Sequence, residues 1–308
     1  MAKFVIENIG LDSSSKRVIY TYTFSEDINK YFKDTFFSEY GISLKEVPES
    51  ILVIPLLANI LPISWFVGFD ITLESMDKQF YEAILNIKQV FINEFPEIKN
   101  KKSDIFFNHL VDNSYSSKKN AMLFSGGVDA YASYFNHQNE DMDLILIRGA
   151  DIPINDEKQW LRTKNSINNE DILGSNQKQF ITMNCRDFYT YKVDELVLQG
   201  SWWGTIQHGL ALTCCIAPLA YQLGYEKIYI ASSYTSELQI FWGSMPEIDN
   251  NIKWANTSVV HDAYHMRRID KIKLIVESSI FLGRNIELRV CYSELNNGVN
   301  CSKCEKCY

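Results

Sequence analysis

The chain has 308 residues, of which 46% are hydrophobic, and a formal net charge of -8. Its pI of about 5.3 and mean hydropathy of -0.16 are typical of a globular protein. The acidic balance argues against general binding of nucleic acid through phosphate neutralisation. The N-terminus has no basic region followed by an apolar run, so we expect no secretory signal and a cytoplasmic location. The length allows two domains.

Residues 1–117 contain β-forming segments but no motif with recognisable chemistry. Phe4–Ile6 and Val18–Phe24 have the composition of strands, and Ser13–Ser15 between them indicates a turn. We therefore predict an N-terminal α+β domain over residues 1–117. Its role is open, and it is a candidate surface for a protein partner.

The most apolar stretch, Ile51–Phe69, approaches the length of a membrane span but contains Pro55 and Pro62. Because proline interrupts helical hydrogen bonding, the pattern favours a broken buried helix, and we expect no membrane span. A short strand, Asp70–Leu73, follows. Ser75 then fits the N-cap of an amphipathic helix.

After a polar segment over residues 97–120, taken as a linker, strands and helices alternate. The predicted strands are Met122–Phe124, Leu144–Ile147, Phe180–Met183, Lys227–Ala231 and Glu287–Val290. The predicted helices include Ala130–Asn136, Thr205–Leu223 and His265–Ile280. Apolar strands joined by crossover helices predict an α/β fold, with a doubly wound, mainly parallel five-stranded sheet over residues 118–308.

The segment Ser125–Asp129, with the sequence Ser-Gly-Gly-Val-Asp, follows the first of these strands and precedes a helix. A tight glycine turn at this point presents backbone N–H groups to an anion, because no Cβ blocks the approach of a phosphate. Ser125 adds a hydroxyl donor, and Asp129 can hold a Mg2+ that bridges phosphate oxygens. It is not a Walker A loop, since no Gly-Lys-Ser/Thr follows. The alternative is a glycine-rich turn without a ligand.

Four of the seven cysteines lie close to the end of the chain: Cys291, Cys301, Cys304 and Cys307. Two spacings of two residues, with a fourth thiolate from a predicted strand end, suit a tetrahedral Zn2+ site over residues 291–307. Four thiolates leave no coordination position open, so the metal would organise structure. An iron–sulfur cluster and a set of free thiols are the alternatives.

The glycine turn and the cysteine terminus, in this order, resemble the PP-loop ATP pyrophosphatase superfamily and, within it, the 7-cyano-7-deazaguanine synthase (QueC-like) group. The resemblance covers residues 121–308, including the turn into a long helix at Gln199–His208 and the polar loop within Ile230–Glu247. It implies a PP-loop (HUP-like) sheet with a C-terminal zinc-binding loop. Residues 1–120 have no counterpart in that group.

Three features depart from the pattern of the group. Ala130 replaces the final serine of SGGxDS, and the segment Trp203–Gln207 lacks an Arg-Asn pair. The segment Trp242–Glu247 replaces the usual substrate loop. Together these differences indicate a retained ATP site beside a rebuilt acceptor pocket.

The resemblance implies cleavage of ATP between its α- and β-phosphates. A carboxylate or amide oxygen of an acceptor attacks the α-phosphorus, and ammonia or an amine then displaces AMP from the adenylate. The implied partners are ATP and a small-molecule or protein-terminus acceptor, with Mg2+ and Zn2+ as metals and a homodimer as the candidate assembly.

The resemblance and the order of the motifs also assign roles to individual residues. The catalytic candidates are Asp129 and His208. The candidates for ATP binding are Ser125, Gly126, Gly127, Val128, Asp129, Ala130, Ile147 and Arg148. The candidates for acceptor binding are Ser232, Ser233, Glu237 and Trp242. Arg267 and Arg268, near the start of a predicted helix, either meet phosphates or form a solvated basic face.

Two other functions stay open at the level of sequence. A tRNA or metabolite thiolation enzyme needs a catalytic cysteine among Cys185, Cys214 and Cys215, and the acidic balance does not favour tRNA. A degenerate nucleotide-binding or partner-binding protein without turnover would account for Ala130 and the missing Arg-Asn pair.

Overall fold

The computed structural model of the chain describes residues 2–116, 119–238, 240–290, 300–304 and 307. The described strands are β1 (Lys3–Leu11), β2 (Arg17–Phe24), β3 (Phe37–Tyr40), β4 (Asp70–Asp77), β5 (Ile105–Val111), β6 (Lys119–Leu123), β7 (Met142–Arg148), β8 (Lys178–Met183), β9 (Tyr225–Ala231), β10 (Lys253–Trp254) and β11 (Thr257–Asp262). The described α-helices are α1 (Glu49–Leu52), α2 (Ile54–Val67), α3 (Lys78–Glu94), α4 (Val128–Asn136), α5 (Glu157–Asn169), α6 (His208–Cys214), α7 (Ala217–Leu223), α8 (Pro246–Asp249) and α9 (Arg268–Leu282).

These strands form one mostly parallel sheet in the order β10-β11-β9-β6-β7-β8-β3-β2-β1-β4-β5. The four successive pairs from β11 to β8, namely β11–β9, β9–β6, β6–β7 and β7–β8, are parallel, as the predicted crossover connections require. The prediction of five strands was wrong, because the N-terminal strands join the same sheet. β3 pairs antiparallel with β8, with Ser38 opposite Met183. The sheet therefore continues across the predicted boundary at residue 117.

Two further element predictions were wrong. Glu287–Val290 is not a strand, and the fifth parallel strand is β11, which pairs with β9. The segment taken as a linker contains β5, which lies parallel to β4 at the edge of the sheet.

The N-cap of α3 also differs from the prediction. Ser75 lies within β4, and the cap is Asp77, whose carboxylate accepts the N–H of Phe80 at 2.9 Å. The same carboxylate accepts the N–H of Ala255 at 3.1 Å and the Nδ2 of Asn113 at 2.9 Å. Asp77 therefore joins the start of α3 to the turn after β10.

The apolar stretch forms a broken buried helix followed by a strand, as predicted. Every residue from Ile54 to Phe66 in α2 is buried. The buried Asn59 donates to the carbonyl of Pro55 at 2.8 Å, and Gln207 donates to the carbonyl of Ala58 at 2.8 Å. Among the described residues, no helix combines the length and apolar character needed to cross a membrane. α2 instead lies at the centre of the core, in contact with both halves of the chain.

His137, the C-cap residue of α4, joins that helix to β11. Its Nδ1 lies 2.8 Å from Glu140 Oε1, and its Nε2 lies 3.1 Å from Asp262 Oδ1. The ring stacks on Tyr229 with 4.0 Å between centroids. Burial alone would lower the pKa of His137, but hydrogen bonds and charge from Asp262 and Glu140 outweigh it and raise the pKa. The folded protein therefore favours the protonated imidazole.

We expect the stability contributed by His137 to be present below its ordinary pKa and to be lost as the pH rises through the raised pKa of the folded state. His137→Gln should therefore lower the free energy of unfolding more at about pH 6 than at about pH 9, measured by urea denaturation. His265→Gln, at an exposed histidine, is the matched control for the loss of an imidazole. An equal loss at both pH values would contradict the proposed ion pairs.

Candidate functional site

The strand, turn and helix predicted around the two glycines are present. β6 ends at Leu123 and α4 begins at Val128. Gly126 has a φ of 77°, which glycine adopts without steric cost, and Gly127 is the N-cap of α4. The glycine turn (residues 125–127) therefore follows the carboxyl end of a central parallel strand, the edge where such sheets bind ligands.

A buried lysine holds the first acidic residue of α4. Lys271, in α9, is only 1% exposed, and its Nζ lies 2.8 Å from Asp129 Oδ1. The same Nζ donates to the carbonyl of Ser232, just after β9. Arg268 Nη1 lies 4.0 Å from Asp129 Oδ2. Because Lys271 is buried with a carboxylate and a carbonyl as acceptors, it fixes α4, α9 and the end of β9 relative to one another.

A cleft of about 390 Å³ opens at this ion pair. It brings together three predicted residues, Asp129, Ser233 and Glu237, with three cationic side chains. Its lining residues are Asp129, Ser233, Tyr234, Thr235, Glu237, Leu238, Arg267, Arg268 and Lys271. Three cationic and two acidic side chains line the cleft, and Lys271 is ion-paired with Asp129 and Arg267 with Asp270 at 3.1 Å.

Sequence reasoning missed Lys271 and left the role of the two arginines open. Helical spacing could have identified Lys271, because this residue lies three positions after Arg268 and four positions after Arg267. Residues at these intervals share one face of a helix. That face packs towards α4, and so the basic residues face the cleft.

Several predicted residues do not line the cleft. Ser232 is fully buried, and its hydroxyl donates to the carbonyl of Tyr234. Ile147 is buried at the end of β7. Arg148 lies 2.6 Å from Glu157 through Nη2 and faces the ring of Trp160.

His208 and Trp242 belong to a row of rings that starts at the cleft. Tyr234 lines the cleft and lies 5.5 Å from Trp242, which lies 6.0 Å from His208. Trp203 follows at 5.4 Å from His208. His208 opens α6 directly after a π-helical turn, Trp203–Gln207, a feature frequent at functional sites. The predicted catalytic histidine therefore lies beyond the cleft wall and not against Asp129.

The environment of His208 favours its neutral form. Burial lowers the pKa of the imidazole, partly offset by the charges of Asp151 and Asp249. Its Nδ1 is buried with no hydrogen-bond partner among the described residues. A neutral imidazole can accept a proton, as a general base must.

Three C-terminal cysteines form a cluster that could hold a metal ion such as zinc. Cys307 Sγ lies 3.9 Å from Cys301 Sγ and 3.6 Å from Cys304 Sγ. Zinc–sulfur bonds of about 2.3 Å in a tetrahedron place sulfur atoms about 3.8 Å apart, so the observed separations fit. The Cys304 N–H also donates to Cys301 Sγ at 3.3 Å. Cys291, the predicted fourth ligand, lies outside the described residues.

Removal of one thiol from this cluster should remove the metal. We expect Cys304→Ser to lower bound zinc from about one equivalent per chain to less than about half, because a tetrahedral thiolate site loses one of its ligands. Elemental analysis of protein purified without chelator measures this. Lys303→Ala, at an exposed residue between two of the cysteines, is the matched control and should keep the metal. Iron with acid-labile sulfide in the wild-type protein would instead support a cluster.

The other three cysteines are poor nucleophiles. Cys185, Cys214 and Cys215 are each fully buried, and burial raises the pKa of all three thiols. Cys185 donates through Sγ to the carbonyl of Gly149 at 3.3 Å. These thiols are therefore protonated packing groups in this conformation.

Comparison with known proteins adds no named relative. A scan against protein-family models gives no match for this chain, and a search of curated proteins gives no match either. Function is therefore inferred from the motifs and from the geometry of the cleft.

Proposed function

We propose that the chain is an ATP-dependent ligase or synthetase of the PP-loop ATP pyrophosphatase type, similar to the 7-cyano-7-deazaguanine synthase group. It cleaves ATP to AMP and pyrophosphate and adenylates a carboxylate or amide of an acceptor, which ammonia or an amine then attacks. The acceptor is expected to differ from that of the synthase itself. The observation that carries the proposal is the cleft beside the glycine turn, where Asp129 pairs with Lys271 and lies 4.0 Å from Arg268.

The charge of the cleft suits a polyphosphate. Arg267 and Arg268 line the cleft with exposed guanidinium groups, and charge-assisted hydrogen bonds to phosphate are among the strongest in proteins. Backbone N–H groups of the glycine turn and the start of α4 add further donors. We assign the pyrophosphate portion of ATP to this surface, with Ser125 as an additional donor.

Asp129 is the residue that would hold Mg2+. Its side chain is 26% exposed, so one carboxylate oxygen can face the cleft while the other keeps its contact with Lys271. Bound Mg2+ would neutralise charge on the phosphates. Lys271 keeps the carboxylate oriented, because its own position is set by burial and by the carbonyl of Ser232.

The protein contributes positioning and charge stabilisation to the proposed reaction. An acceptor oxygen forms a bond to the α-phosphorus as the bond to the bridging oxygen breaks, and pyrophosphate leaves. The nitrogen nucleophile then forms a bond to the acceptor carbon, AMP leaves with the oxygen, and the nitrogen loses a proton. The acceptor side is assigned to Ser233 and Glu237, which line the cleft, while Trp242 and His208 lie behind Tyr234 and are given no step.

The test is release of AMP and pyrophosphate. The protein is incubated with ATP, Mg2+ and a panel of carboxylates, each with and without ammonium, and the nucleotides are separated by chromatography. AMP that depends on one carboxylate supports the proposal. Tight ATP binding by calorimetry, with no AMP from any carboxylate, would support the degenerate binding protein instead.

The thiolation alternative has less support. A sulfur carrier needs an accessible thiolate, and the three cysteines outside the cluster are buried and protonated. Absence of a persulfide on Cys185, Cys214 and Cys215 by mass spectrometry in the presence of ATP and a sulfur donor would remove it. A protein partner recruited through the N-terminal strands, a homodimer and a cytoplasmic location also remain proposals.

A further inference from the structure

The segment 286–290, here called the C-terminal strap, lies directly against the glycine turn. The N–H of Arg289 donates to the carbonyl of Gly126 at 2.8 Å. A Cβ added to Gly127 would lie 3.4 Å from the carbonyl oxygen of Arg289, which is van der Waals contact. The strap therefore contacts the two glycines by its backbone.

The opposite side of the strap is held by a single amide side chain, that of Asn300. The N–H of Val290 donates to Asn300 Oδ1 at 3.0 Å, and Asn300 Nδ2 donates to the carbonyl of Leu288 at 2.7 Å. Backbone groups of an extended chain alternate in direction, so Arg289 N–H faces Gly126 while its neighbours face Asn300. The strap is thus clamped between the glycine turn and Asn300.

Side chains anchor the strap to the elements around the cleft. Leu288 and Val290 pack against a buried cluster that includes Val128 and Ala130 of α4. Arg289 donates from Nη1 to Thr163 Oγ1 of α5 at 3.3 Å. The strap is therefore held both by packing against α4 and by hydrogen bonds to Asn300.

Asn300 immediately precedes Cys301, the first described residue of the cysteine cluster. We propose that the metal-binding cluster positions the glycine turn, with Asn300 and the strap as the connection. A metal held by Cys301, Cys304 and Cys307 fixes the backbone next to Asn300, Asn300 fixes the strap, and the strap holds the carbonyl of Gly126. Asn300 is then a positioning residue for the turn. Any effect on ATP binding rests on the proposed function, whereas the link from the metal through Asn300 and the strap to Gly126 does not.

Hydrogen exchange measured by mass spectrometry tests this connection without nucleotide. In the metal-loaded protein, removal of the metal by a chelator should speed exchange of the Arg289 and Val290 amides by about tenfold or more, because these amides donate to Gly126 and to Asn300. Asn300→Leu, which keeps the cysteines, should retain the metal and give the same increase. In both experiments strand β7 should exchange as in the untreated protein, which controls for unfolding.

Lys303→Ala is the matched variant within the cluster, and it should change neither metal content nor exchange of the strap. The inference is overturned if chelation speeds exchange only at residues 300–308, or if Asn300→Leu leaves exchange of the strap unchanged. Failure of ATP to bind would overturn the proposed function and not this result, because exchange is measured on the nucleotide-free protein.

Discussion

Asp129→Asn is expected to lower the rate of AMP and pyrophosphate release by about a hundredfold or more, the usual effect of removing one electrostatic contact to a developing charge. Asparagine keeps the size of the side chain but removes the negative charge that would hold Mg2+. Its amide oxygen can still accept from Lys271, but the buried lysine loses its counter-charge, so folding of the variant is measured alongside turnover. The measurement is steady-state release of AMP under the conditions that give turnover in the wild type.

The matched control is Asp141→Asn, because Asp141 is an exposed aspartate immediately before β7, at the opposite edge of the parallel strands. It should turn over at the wild-type rate. Circular dichroism and the urea midpoint verify that Asp129→Asn is folded. A folded Asp129→Asn protein with wild-type turnover would contradict the assignment of the cleft as the ATP site.

Gly149→Ala is expected to destabilise the fold by about 3 kcal/mol or more, or to prevent folding, because overpacking and backbone strain add. Gly149 follows β7 with a φ of 99°, where side chains are strained. A Cβ added there would lie 1.6 Å from the carbonyl oxygen of Met183. Backbone cannot move aside without breaking the pairing of β7 with β8. The measurement is the urea midpoint, or the yield of folded protein.

Gly41→Ala is the matched control, since no heavy atom of the described residues other than its own chain neighbours lies within 4 Å of a Cβ added at Gly41. The same substitution there should change the free energy of unfolding by less than about 1 kcal/mol. Equal urea midpoints for the two variants would contradict the close approach of β7 and β8 at Gly149.

The parts of the site that depend on neighbouring residues were predictable from sequence. A short apolar run, two glycines and a helical segment specify the strand, the turn and α4 locally. The spacing of Cys301, Cys304 and Cys307 likewise brings three thiols together within one loop. The contact of Lys271 with Asp129 is different, because it depends on how α9 packs against α4. A local sequence pattern does not predict which helices pack against each other.

The errors in the fold have identifiable physical causes. Glu287–Val290 alternates charged and apolar residues as a strand does, and its apolar side chains are indeed packed inward. Its backbone, however, bonds to Gly126 and to the side chain of Asn300 and not to a neighbouring strand. Three of the other strands, β1, β2 and β4, were predicted as strands but were assigned to a separate domain, because propensity does not reveal which sheet a strand joins. The strands β3, β5, β10 and β11 were not predicted. The cap is Asp77 and not Ser75 because pairing with β5 extends β4 as far as Asp77.

The pairing of β3 with β8 has a consequence for how the chain can be divided. Without residues 1–117, β8 would present a row of unpaired N–H and C=O groups, and the contacts of α2 would be exposed as apolar surface. Open strand edges of this kind favour association between molecules. The N-terminal strands therefore cover a strand edge and an apolar surface that the motif-bearing half would otherwise expose.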